Sequence, residues 1–148
     1  MRITSGGVAI VILIAAAGCL DFGDDIETNN LTDEQIAYCQ TIMHLNDQLQ
    51  YDPNGLKILG SGIDDAVWFC FHTEETDPAF IFDTTFVSLD SLSGSVSIYS
   101  PEDIPDWWDS QEKELVGGVV PLQWGRFMTV GMERKESGTT VYIFWHET

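Results

Sequence analysis

Positive charge is what this sequence has least of. Six Lys and Arg stand against 24 Asp and Glu in 148 residues, a formal charge of −18, and between Leu20 and Glu112 the single basic residue is Lys57. Such a surface repels phosphate backbones. With no cluster of Lys or Arg to displace counterions, nucleic-acid binding through a basic patch is excluded. Long hydrophobic runs are also lacking. The apolar stretch Val8–Ala17 has ten residues, about 15 Å as a helix and half of a bilayer core of roughly 30 Å, too short for a permanent span. The reaction signatures are missing too: no G-x-x-x-x-G-K-[ST] phosphate loop, no G-x-G-x-x-G, and no G-x-S-x-G elbow, since Gly60-Ser61-Gly62 is a loop with a serine. What is present is enough apolar residue, 44%, for one well-packed domain, which argues against disorder by composition.

The N-terminus pairs Arg2 with the apolar run and then the small residues Ala16, Ala17 and Gly18, the layout of a secretory signal. Ala16-Ala17-Gly18-Cys19 resembles the lipobox of bacterial lipoproteins, with Ala16 where leucine is usual. The resemblance implies removal of residues 1–18, lipid on Cys19, membrane attachment and, from Leu20 after the cysteine, sorting to the outer membrane if the host has one. An ordinary signal peptide cut nearby would leave Cys19 as a free thiol. Cysteine parity bears on the choice, because an exported chain meets an oxidising compartment and an odd count asks for an explanation. With Cys19 lipidated, Cys39 and Cys70 remain as a pair, and a disulfide between them is the expectation. The alternative is two buried thiols, in contact or apart.

Residues 19–30 form an acidic segment, read as a flexible tether after the lipidated cysteine. The rest, 31–148, reads as a single domain. Thr32-Asp33-Glu34-Gln35 fits a capping box, and the apolar positions from Ile36 to Leu49 predict an amphipathic helix that stops before the turn signal Asp52-Pro53-Asn54-Gly55. Strands are predicted at 56–59, 66–73, 79–87, 95–99, 126–134 and 139–146, the last two joined as a hairpin at Glu136-Ser137-Gly138. Gly117, Gly118 and Pro121 leave the segment before that hairpin unassigned. The fold class is therefore α+β: one N-terminal helix on a curled antiparallel sheet of about five to six strands. Val67–Phe71 and Val141–Trp145 are apolar on both faces, so they need cover on both sides. A strong curl, the 101–125 segment or a second subunit would each supply it, and the curl is favoured.

Candidate chemistry is sparse. Five adjacent acidic pairs occur, against about four expected by chance from such a composition, so they are no evidence for glycosidase carboxylates. His44, His72 and His146 are far apart and no metal-ligand spacing exists; His72 with Glu74 is the nearest approach to one. No metal or cofactor is expected. Trp107 and Trp108, in the proline-punctuated loop 100–110, are the candidate contacts to a glycan or a protein partner, unless they plug the sheet. Adjacent side chains in an extended segment face opposite ways, so one in and one out is expected. Ser137-Gly138-Thr139-Thr140-Val141-Tyr142 is similar to the S-G-x-x-Y pattern of periplasmic lysozyme inhibitors, with the tyrosine one residue late.

These observations point to a membrane-tethered envelope lipoprotein in a non-catalytic structural or binding role, its partner a basic protein or a glycan. A hydrolase of envelope polymers using unmarked carboxylates is the second reading. Mass spectrometry of the mature N-terminus checks the first step: the chain is expected to begin at an acylated Cys19, and an unmodified Cys19 or a later terminus would refute it.

Overall fold

The computed structural model describes residues 25–60 and 65–148. The signal segment and Cys19 lie outside the described residues, as do the first residues of the expected tether. Most of the domain is one antiparallel sheet with few helices. Its strands are β1 (Ile26–Thr28), β2 (Asp52–Gly60), β3 (Asp65–Thr73), β4 (Gly94–Val96), β5 (Leu115–Pro121), β6 (Arg126–Lys135) and β7 (Gly138–Glu147), in the order β1-β2-β3-β7-β6-β5-β4. Helix α1 (Asp33–Ile42) lies between β1 and β2 in sequence, and a single turn, α2 (Pro78–Ile81), follows β3.

The sheet thus has seven strands, more than the five to six expected. The additions are β5, which carries the unassigned glycines, and β1, which turns part of the expected tether into an edge strand on β2. Gly117 and Gly118 suit β5 for a packing reason: a Cβ at either would meet the carbonyl oxygen of Val130 or Ser91 at 1.8 and 1.9 Å. The predicted strand over 79–87 is instead α2 and a coil. Asp77 caps it, its Oδ1 accepting from Ala79 N at 2.9 Å, and Pro78 occupies the first helical position.

The capping box of α1 is formed as the sequence predicts, Thr32 Oγ1 accepting from Gln35 N and Gln35 Oε1 accepting from Thr32 N. The helix stops earlier than expected. His44 takes φ 51°, and the bonds His44 N to Thr41 O and Leu45 N to Gln40 O close a Schellman motif. Met43, Leu45 and Leu49 are still buried, but from irregular backbone. Asp52-Pro53-Asn54-Gly55 is no turn: it is the start of β2, with a register shift between Pro53 and Gly55.

The doubly apolar strands behave as their alternation demands. Val67, Phe69 and Phe71 of β3, with Val141, Ile143 and Trp145 of β7, enter one core beneath α1 and the 43–49 and 78–92 segments. Trp68, Cys70 and Tyr142 enter a second core on the opposite face, with Ile98, Trp108 and Leu115. Cover for that face comes from the 97–112 segment, which overlaps only the first part of the 101–125 stretch that the sequence offered as one solution. Trp68 Nε1 donates to Tyr99 O at 2.9 Å, Trp108 Nε1 to Ser100 Oγ at 3.2 Å, and the Tyr142 hydroxyl to Asp109 Oδ1. Each buried ring finds a polar partner on the covering segment.

This division corrects the disulfide. Cys39 sits in the first core and Cys70 in the second, and both are free thiols. Successive residues of a strand point to opposite faces, so α1 covers the Phe69 and Phe71 side of β3, away from Cys70. Burial pushes the Cys70 thiol up to about 12, with Asn54 Nδ2 donating to its sulfur at 3.5 Å, and burial raises Cys39 as well. Neither is poised as a thiolate nucleophile. The unfolded, unreduced mature protein is expected to yield two thiols to Ellman's reagent and the native protein none. A count of zero after unfolding would restore the disulfide.

A candidate ligand cleft at the turn between β5 and β6

The two tryptophans singled out in the sequence divide as adjacent residues should. Trp108 is 2% exposed and packs edge-on against Tyr142 at 5.4 Å, so it is core and not a contact residue. Trp107 is half-buried, its ring lying over the backbone of Gly55, where a Cβ would meet Trp107 Cδ2 at 2.1 Å. One side of its ring is spent on the fold, and the residue also lines two shallow surface clefts.

Beside it, Asp109 and Glu133 share Lys113 at 3.8 and 3.6 Å, and Glu133 also holds Lys135 at 3.2 Å. These are two carboxylates of the kind the hydrolase reading requires. Their oxygens are engaged by lysines and by Tyr142, the tyrosine of the inhibitor-like pattern, which points into the core. His72 Nδ1 lies 3.4 Å from Thr140 Oγ1, and among the described residues no group of three potential metal ligands assembles around it or elsewhere.

The more distinctive site involves residues the sequence did not single out. A cleft of about 500 Å³ opens where the end of α1 meets the turn between β5 and β6, lined by Thr41, His44, Phe86, Trp124, Arg126 and Trp145 among others. Trp124 occupies the turn between Leu122 and Arg126, closed by Leu122 N donating to Arg126 O at 2.8 Å. Gly125 beside it has φ 69°, and its carbonyl accepts from Thr148 N at 3.0 Å and Thr148 Oγ1 at 3.1 Å. The C-terminus thereby braces a turn that leaves Trp124 85% exposed.

His44 and Phe86 form another side of the cleft, their rings stacked at 4.4 Å and 17°. Two chain crossings hold them together: Asp83 N donates to His44 O at 2.8 Å, and Asn46 N to Ile81 O at 2.9 Å, around a bridge between Leu45 and Phe82. Burial lowers the His44 pKa, Asp83 opposing it, which favours the uncharged ring. Arg126 Nε bonds Glu147 at 2.8 Å while its guanidinium lies 5.7 Å from the Trp145 ring centre. Trp145 is 3% exposed and its indole N–H has no acceptor among the described residues.

Comparison with family models, with curated proteins and with solved structures finds no match to this chain. The functional reading therefore rests on the geometry.

His44 and Trp124 are the non-glycine residues with positive φ among those described, and both line this cleft. A left-handed conformation costs a non-glycine residue about 1–2 kcal/mol, and such strain collects at ligand sites. A periodicity search could not find it, because Gln123-Trp124-Gly125 reads simply as a turn. Trp124→Gly is expected to raise the thermal midpoint by a few degrees, since it removes the strain without emptying a core site. A fall of that size would mean that Trp124 is there for stability.

Proposed function

We propose that this chain is an envelope lipoprotein with a non-catalytic binding role, anchored through acylated Cys19 and engaging its ligand through the Trp124 cleft. The observation that carries the binding role is the placing of two strained non-glycine residues, His44 and Trp124, in one aromatic cleft. Ordinary packing has no use for an indole held out at 85% exposure on a braced turn. The absence of recognised catalytic motifs supports the same reading.

Anchoring and export rest on the lipobox resemblance alone. With Cys39 and Cys70 in separate cores, cysteine parity no longer argues for lipid on Cys19. The acidity fits the setting, since a chain that loses only Arg2 among its charges on processing stays soluble and stands off an anionic leaflet. Among the described residues no helix is long and apolar enough to cross a membrane.

Immobilised envelope material, tested in detergent so that acyl chains are masked, is expected to retain the wild-type protein and the Trp107→Ala variant but not Trp124→Ala. Equal retention of all three, or of none, would refute the cleft as the binding surface.

A further inference from the structure

The cleft also carries information about what it binds, and the inference rests on the binding role just proposed. Its volume of about 500 Å³ lies within the range of sites for small organic ligands, roughly 300–1,000 Å³, whereas a stable protein partner needs a contact of about 800 Å² on each side. Concavity with a few convergent polar groups favours a compact ligand or one unit of a chain.

Charge narrows the class. Among the described residues no Asp or Glu lines the cleft, and Arg126 is its one formally charged residue. A cationic ligand would be drawn by the overall charge but would find no carboxylate lining the cleft, the neighbouring Glu147 being already paired with Arg126. An anionic ligand would find Arg126 already held by Glu147 and would have to approach a chain of formal charge −18. A neutral ligand avoids both penalties.

The remaining chemistry is that of a ring with apolar faces and a hydroxylated rim. Trp124 offers an indole face with no stacking partner among the described residues, and the Phe86–His44 stack supplies a second aromatic side. Hydroxyls of Thr41 and Thr85 and the Gln123 amide provide donors and acceptors around them. Aromatic faces set among hydroxyl and amide groups match the C–H faces and equatorial hydroxyls of a pyranose. The rings on the opposite sheet face do not offer this. Phe127, His146, Phe144 and Trp68 stack on one another at 4.8–5.7 Å, so their faces are already occupied.

We propose that the cleft binds uncharged sugar units of a glycan, with one ring stacked on Trp124.

The test is calorimetric titration of the full mature chain in detergent with three probes: neutral oligosaccharides (N-acetylated chitooligosaccharides and β-glucan oligomers), an anionic oligogalacturonate, and polylysine. At least one neutral oligosaccharide is expected to bind. Its affinity should fall roughly tenfold or more in Trp124→Ala and in Phe86→Ala, recover substantially in Trp124→Phe, and change little with Trp107→Ala or with salt. Circular dichroism and thermal midpoints of the variants separate lost binding from lost fold. If polylysine or oligogalacturonate binds in a Trp124-dependent manner and no neutral sugar does, the sugar assignment is overturned while the cleft remains a binding site. If no neutral oligosaccharide binds although envelope retention depends on Trp124, the sugar assignment again fails alone. If retention is independent of Trp124, the binding role falls with it.

Discussion

Everything in this fold depends on two neighbouring strands that are apolar on both faces. β3 and β7 pair along eight positions, from Ala66 opposite His146 to Thr73 opposite Thr139, and neither face of the pair can be left to water. A sheet of this kind needs two separate covers. The chain provides them in sequence: α1 and the 43–49 and 78–92 segments on one side, then 97–112 on the other. The second cover has almost no regular structure of its own. It is held by the polar tips of rings buried beneath it, the indole of Trp68 and the hydroxyl of Tyr142, and braced within itself by the Trp108 indole on Ser100, so apolar burial and hydrogen bonding come from the same side chains.

The cleft is a consequence of the first cover's path. To cross that face the chain must leave α1 abruptly, which places His44 in a left-handed cap, and must return past it after α2, which sets Phe86 on the His44 ring. The turn between β5 and β6 closes the gap and carries Trp124. The site is thus assembled at the rim of the domain from segments already fixed by the core. Strained residues persist there because the surrounding bonds over-determine them.

Much of the fold is legible in the residues themselves. Strand alternation assigned Val67, Phe69 and Phe71 to one face and Trp68 and Cys70 to the other, and the Thr32–Gln35 box marked the start of α1. Gly138, with φ 129°, marked the hairpin between β6 and β7. The errors have physical causes. A three-residue edge strand such as β1 is too short to alternate. The glycines of β5 serve close backbone approach, and Asp52–Gly55 has turn chemistry spent on a bulge that lets Trp107 lie over Gly55. The candidate site was scarcely legible, because its lining comes from 41–44, 85–86, 121–126 and 145, stretches with no motif in common.

By itself, then, the sequence determined the large excess of negative charge, the antiparallel sheet-rich class and the need for cover on both faces, because charge and the two-residue period of a strand are local properties. Only the tertiary structure decided which cover lies on which face. That choice placed Cys39 and Cys70 in different cores, put Trp108 inside, and brought His44, Phe86 and Trp124 to one cleft. The period of a strand says which side chains share a face, and the path of the chain between strands says what they meet there.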